Sequence, residues 1–184
     1  MRASIAERLA ILSPEERIAQ SVGVCSQLMK LRAYREARGI MLYAPFGVEV
    51  DIGTVALAAF REGRDVFVPE FDVPGRSMWP VEVASWDIDR WPKGRLGVPQ
   101  APSREPAEPA RIDLVVVPGL AFDSQQRRLG RGMGFYDRFL RDPRLGATTV
   151  GAAFREQIVD SVPCESFDSK LDAVVTCDGV LTVA

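Results

Sequence analysis

Three glycines at alternate positions, Gly130, Gly132 and Gly134, lie in the stretch "RLGRGMGFYDRF" beside Arg128 and Arg131. Without side chains, such residues let backbone amides close on an anion. The two arginines add bidentate phosphate donors, and a helix beginning near Phe135 adds free N–H groups and a partial positive charge. Together these make a phosphate cradle. The pattern is not a P-loop, since no Lys-Ser/Thr pair closes it. It is not the dinucleotide GxGxxG either, since position 135 is Phe. The competing reading is a surface loop whose glycines serve turns. Asp137, one turn into the helix, suits a Mg²⁺ ligand beside bound phosphates or an N-terminal Asp stabilised by the helix dipole. Asp168 reads as a metal ligand or as a turn residue before a strand. Glu49 reads as a ligand contact or as a solvated loop acid. The arginines of 127–144 are interrupted by Asp137 and Asp142, which favours a solvated helix face over an RNA footprint.

The chain has no histidine, which removes Ser-His-Asp and Cys-His catalysis and most zinc sites. Chemistry is left to carboxylates, arginines, backbone amides and the reactivity of a bound substrate. The three cysteines, Cys25, Cys164 and Cys177, show no metal-ligand spacing and suit a reduced cytoplasm. A net charge of −2 argues against nucleic-acid or membrane-surface binding by the chain as a whole. No apolar run approaches the roughly 20 residues that span a bilayer. With 47% apolar and 26% charged residues, the composition is that of a soluble globular protein, and 184 residues suit one domain, 1–184.

The elements that must position these residues follow from periodicity. Ser13, Pro14 and Glu16 open a long helix over 13–38 with a capping box, its apolar face including Ile18, Val22, Cys25 and Leu28. One or two helical turns precede it over 5–12. Strands are expected at 39–46, 65–71, 77–83, 112–122, 148–154 and 171–180, and helices at 52–63, from Phe135 to near Pro143, and around 155–160. Pro80 places 77–83 at an edge or bend. Residues 87–111, with five prolines, read as an irregular excursion folded over a site. The run 112–122 is apolar enough for burial on both faces of a parallel sheet. The alternation predicts an α/β fold, an open and mostly parallel sheet flanked by helices in a Rossmann-like three-layer arrangement. Glu49, Asp51, Asp123 and the glycine loop then fall at carboxyl ends of strands, where such sheets bind ligands, and Asp168 precedes the last strand.

At "DLVVVPGLAFD…RLGRGMGFYDRFL" the chain resembles the 5-formyltetrahydrofolate cyclo-ligases, also called methenyltetrahydrofolate synthetases. "LSPEER", "MLYAPFGVEVD" and "GAAFREQIVDSVPCESFDSKLDAVVT" extend the likeness over nearly the whole chain. The resemblance implies conversion of 5-formyltetrahydrofolate and ATP to 5,10-methenyltetrahydrofolate, ADP and phosphate, with Mg²⁺. It implies ATP contacts at Arg2, Arg128, Leu129, Gly130, Arg131, Gly132, Met133, Gly134, Phe135 and Tyr136. Folate contacts are implied at Glu49, Arg131, Gly132, Met133, Gly134 and Phe135, Mg²⁺ ligands at Asp137 and Asp168, and catalytic roles for Arg131 and Tyr136. The expected partner is the folate alone, with no nucleic acid or membrane, for a cytoplasmic monomer. The chain departs from the family pattern at several places. The Lys of the family's Lys-x-x-x-Arg falls before Met1, and Gln126 replaces a common glycine. Met133 fills a variable loop position, Phe135 replaces a Tyr, Phe167 a frequent His, and Cys177 a frequent Glu. The alternatives are a non-catalytic folate- or nucleotide-binding relative and an RNA-binding module.

Overall fold

The computed structural model describes residues 1–94, 97–165 and 168–181. The chain runs α1 (Arg2–Ile11), α2 (Pro14–Lys30), α3 (Arg32–Glu36), β1 (Gly39–Met41), α4 (Gly53–Arg61), β2 (Asp65–Asp72) and β3 (Ser77–Val83). It continues through β4 (Leu114–Val117), β5 (Ala121–Phe122), β6 (Arg128–Leu129), α5 (Phe135–Phe139), β7 (Thr148–Ala152), β8 (Ala173–Thr176) and β9 (Gly179–Val180). Seven strands form one sheet in the order β3-β2-β1-β4-β7-β8-β9, and β5 and β6 form a separate hairpin. The five inner strands are parallel to one another, while β3 and β9 close the edges antiparallel. From β1 the chain winds toward β2 and β3, then crosses back to β4 on the other side. The carboxyl ends of β1 and β4 therefore flank the point where the winding reverses, which is where ligands enter such sheets.

The core lies on both faces of the sheet. Leu114 and Val116 join the apolar cluster under α1, α2 and α4, while Val115 and Val117 join the cluster under α5 and Phe122. Each of these side chains is fully buried and contributes roughly 1.5–3 kcal/mol by leaving water. That two-sided burial is what the unbroken run over 114–117 requires.

Several boundaries differ from the sequence reading. The long helix divides at Leu31, whose extended ψ of 143° ends α2 and begins α3. The capping box is present, with Ser13 Oγ accepting from the Glu16 N–H and Glu16 Oε2 from the Ser13 N–H. The buried face of α2 is rotated from the expected one. Ile18 and Val22 are 66% and 58% exposed, and Gln20 and Ser21 are buried in their place. Both polar side chains are used: Gln20 Oε1 accepts from the Arg155 N–H at 2.9 Å, and Ser21 Oγ accepts from the Asp51 N–H at 3.1 Å. Loop backbone needed partners there, and this outweighed apolar periodicity.

The run 112–122 is two strands, because Pro118 cannot donate to a ladder and the chain turns there into the β5–β6 hairpin. The run 171–180 is likewise a hairpin, turning at Cys177 and Asp178. The strand expected over 39–46 is regular only to Met41, and α5 stops at Phe139, short of Pro143. Residues 155–157 form a single 3-10 turn. The proline-rich excursion packs back onto β2. There Glu70, fully buried, accepts from Gln100 Nε2 at 3.0 Å and Arg104 Nε at 2.7 Å. No helix among the described residues is long and apolar enough to cross a membrane.

Candidate active site

A cleft of about 1130 Å³ opens over the carboxyl ends of β1 and β4. Its floor and walls come from the loop after β1 (Tyr43, Phe46, Glu49), the end of β2 (Pro69, Phe71), the segment Arg128–Arg138, the N-terminus of α1 (Met1, Arg2) and the stretch before β8 (Cys164, Glu165, Asp168). The residues whose roles the resemblance implies line this cleft: Arg2, Glu49, the whole of Arg128–Tyr136, Asp137 and Asp168.

Two of the three glycines meet a conformational demand. Gly132 and Gly134 sit at φ of +93° and +64°, where a side chain would be strained. A Cβ at Gly130 would meet nothing within 4 Å, so glycine there leaves room at the cleft surface and avoids no clash. The Gly130 carbonyl accepts from Arg2 Nε at 3.3 Å, which brings the start of the chain onto the glycine loop. Because α5 has only five residues, its dipole is small. The helix end therefore offers an anion less than the sequence reading expects, which leaves loop amides and arginines as the donors on this part of the cleft.

Arg131 and Glu49 join the two halves of the site across 82 positions of sequence, with Nη2 3.0 Å from Oε1. The Arg131 guanidinium also stacks 5.4 Å over the Phe46 ring. Glu49 Oε2 accepts the Phe46 N–H at 2.9 Å. Burial raises the Glu49 carboxyl above its ordinary value, and the Phe46 N–H and Arg131 only partly offset this. Beside it, burial raises the Tyr136 and Tyr43 phenols, so both remain protonated at neutral pH. Tyr43 donates to the Val50 carbonyl.

Arg128 is placed differently from an open phosphate ligand. Its side chain is only 3% exposed. It pairs with Asp137 Oδ1 at 2.7 Å and lies 5.3 Å over the Tyr136 ring, while its Nε is buried and has no partner among the described residues. Asp137 Oδ1 also accepts from the Ser169 N–H at 3.4 Å, and Asp168 Oδ2 accepts from the Glu165 N–H at 2.7 Å. The Ser169 contact brings the segment carrying Asp168 against Asp137. Among the described residues, Asp137 Oδ2 and Asp168 Oδ1 have no partner. No group of three or more acidic, His or Cys side chains able to cage a metal occurs among these residues. Two carboxylates on one cleft, each with an oxygen to spare among the described residues, could hold Mg²⁺, which binds through few carboxylates and keeps waters.

Other expected residues serve structure. Asp51 Oδ1 accepts the Gly53 N–H at the start of α4 and stays outside the cleft. Asp123 is 1% exposed and turned inward, where it organises the β5–β6 connection. Gln126, at the family's glycine position, has φ +59°. A left-handed conformation costs a side chain roughly 1–2 kcal/mol, against the roughly 0.5–1 kcal/mol of extra chain entropy a glycine loses on folding. Gln126→Gly is therefore expected to stabilise the fold by about 0.5–1 kcal/mol, read as a higher urea midpoint at unchanged slope. Phe167 lies outside the described residues. The sequence reading missed Tyr43, Phe46, Phe71, Arg76 and Cys164 as cleft residues. Tyr43 and Phe46 carried a usable signal, since they stand between a buried strand and Glu49.

The profile of the 5-formyltetrahydrofolate cyclo-ligase family matches residues 1–177. The mouse 5-formyltetrahydrofolate cyclo-ligase is 30% identical over 184 residues, covering 95% of this chain and 91% of that protein. The solution structure of the Aquifex aeolicus 5,10-methenyltetrahydrofolate synthetase superposes with a TM-score of 0.81 at 30% identity, covering 98% of this chain and 89% of that one. A mitochondrial 5-formyltetrahydrofolate cyclo-ligase of Arabidopsis thaliana is 40% identical over 82 residues, 39% of this chain and 30% of that protein.

Proposed function

The chain belongs to the 5-formyltetrahydrofolate cyclo-ligase family, and from that premise we propose that its cleft binds ATP on the glycine loop and 5-formyltetrahydrofolate against Glu49. The activity is the family's: ATP-dependent cyclisation of 5-formyltetrahydrofolate. The observation that supports this placement is the Arg131–Glu49 pair, which ties the phosphate cradle to the loop after β1 at the switch point of the sheet.

In this reading the formyl oxygen attacks the γ-phosphoryl group of ATP, ADP leaves, and an imidate phosphate forms. N10 of the folate then attacks the activated carbon, the N10 proton leaves with the departing phosphate, and the ring closes to 5,10-methenyltetrahydrofolate. The substrate supplies both nucleophiles, which suits a chain without histidine. The protein's work is positioning and charge stabilisation. Amides of Gly130, Gly132 and Gly134, with Arg2 and Arg131, hold the phosphates; Leu129, Met133 and Phe135 shape the walls. Arg131 stabilises charge developing on the transferred phosphoryl group, while the Tyr136 hydroxyl, kept protonated, donates a hydrogen bond at the reacting end. Arg128 acts on Asp137 from behind. Asp137 and Asp168 would hold Mg²⁺, which supplies charge neutralisation at the phosphate oxygens when bound. Arg2, seated on Gly130, supplies the cation expected of a working ATP site and weakens the reading as a non-catalytic relative. Three free thiols favour a reducing compartment, and we place the protein in the cytoplasm as a monomer.

Incubation with 5-formyltetrahydrofolate, ATP and Mg²⁺ tests this reading. Methenyltetrahydrofolate absorbs in the near ultraviolet where its precursor does not. Absence of that band together with intact ATP binding would favour a binding protein. Glu49→Gln gives a sharper test. The folded-state carboxyl is raised, so ionised Glu49 costs the free protein stability as pH climbs from about 4.3 through the raised value, and that cost persists at neutral pH. The variant is expected to melt above wild type at neutral pH, with the difference vanishing below about pH 4. Its kcat/KM is expected to fall roughly 10- to 100-fold from loss of a charged contact. A variant that melts lower and turns over normally would remove Glu49 from the site.

A further inference from the structure

We propose that Arg76, Arg138 and Arg141 form a carboxylate-binding subsite at the outer end of the cleft, occupied by the glutamyl end of the folate substrate. All three line the cleft. Elsewhere, Arg104, Arg111, Arg144 and Arg155 each hold a carboxylate within 4 Å, but among the described residues these three hold none. Their backbones bring them together. Arg138 Nε donates to the Arg76 carbonyl at 2.5 Å and its Nη2 to the Met133 carbonyl at 2.7 Å, with the guanidinium 5.8 Å over the Phe135 ring. Arg141 follows on the next turn, its N–H donating to the Arg138 carbonyl. Arg76 stands in the β2–β3 turn at φ +51°, where glycine or asparagine would be more comfortable. Three guanidinium groups on one cleft, with no carboxylate within 4 Å among the described residues, favour an arriving anion.

Position decides which anion. Asp137 and Arg138 are neighbours on α5 whose side chains leave about 100° apart. Asp137 points to Arg128 and Ser169, on the side of β8; Arg138 points to the β2–β3 turn, at the opposite edge of the sheet. Pro69, Phe71 and Phe135 give the same cleft an apolar surface, the last two in edge contact at 5.1 Å, with the Arg138 guanidinium over the Phe135 ring. Arg138, bonded to the Met133 carbonyl, marks where the glycine loop meets this subsite, and Arg76 and Arg141 lie beyond it; a flat ring system against Phe71 and Phe135 that ends in an aryl-glutamate would bring its carboxylates to them.

The inference rests on the proposed function, and the experiment separates the two. The variant Arg76→Gln with Arg141→Gln alters exposed side chains and leaves the Arg138 contact to the Arg76 backbone in place. It is assayed with 5-formyltetrahydrofolate and with 5-formyltetrahydropteroate, which lacks the glutamate. KM for the folate is expected to rise roughly five- to tenfold, less at high salt, with KM for the pteroate and for ATP at wild-type values. An equal rise for both substrates, a rise for ATP instead, or no change overturns the subsite. Wild-type protein that converts neither substrate removes the functional reading, and the subsite with it.

Discussion

Asp137→Asn is expected to reduce turnover by roughly 100-fold or more and to move the Mg²⁺ titration to higher concentration. Asparagine keeps the shape and leaves Oδ1 able to accept from Arg128 and Ser169, so the fold survives. What it loses is the anionic charge. In the free protein that charge balances the Arg128 guanidinium, whose side chain is 3% exposed. Removing the partner of a fully buried cation costs about 3–5 kcal/mol, and less here because the Asp137 side chain is 21% exposed. A stability loss of about 2 kcal/mol should therefore accompany the kinetic loss. The two effects separate in the measurement. If Asp137 only balances Arg128, the variant unfolds at lower urea but keeps the wild-type dependence on Mg²⁺, and the metal assignment falls. If Asp137 binds the metal, direct Mg²⁺ titration in the presence of ATP weakens even where the variant is fully folded.

The sequence made the residues that line the cleft more legible than their packing. The glycine spacing, Arg131 and Asp137 sit within ten positions of one another, and local chemistry of that kind is visible in a linear chain. The partnership of Arg131 with Glu49 spans 82 positions, and only the resemblance placed Glu49 with the loop. Arg2 reached Gly130 across 128 positions in the same way. What escaped was decided by tertiary demand. Gln20 and Ser21 displaced Ile18 and Val22 from the core because loop amides required acceptors, and no periodicity records that need. The division of 112–122 was written in Pro118, but the apolar run on either side outweighed it. Arg76 carried no signal, since its importance depends on a turn that the strand order delivers to the cleft.

The same lesson applies to Asp123, which the sequence placed at a strand end beside a ligand and the structure turns inward. Its Oδ1 accepts the N–H groups of Gln125 and Arg127 at 2.9 and 3.0 Å, and its Oδ2 accepts the Val162 N–H at 2.9 Å. This one carboxylate ties the turn that feeds the glycine loop to the segment leading to Asp168, alongside backbone bonds within the turn. Asp123→Ala leaves three amide donors without their acceptor at a site 1% exposed. A hydrogen bond to a charged group is worth about 1.5–3 kcal/mol, and three sharing one acceptor are not additive, so the expected loss is about 4–5 kcal/mol. That is a large share of the stability of a domain this size. Asp123→Asn should fall between, since its oxygen can serve the Gln125 and Arg127 pair while its amide faces the Val162 N–H, donor against donor. Urea unfolding should therefore order the midpoints wild type, then Asn, then Ala. An alanine variant that unfolds at the wild-type midpoint would mean that water replaces the carboxylate, and that the glycine loop draws its placement from Arg2, Arg128 and Arg131 instead.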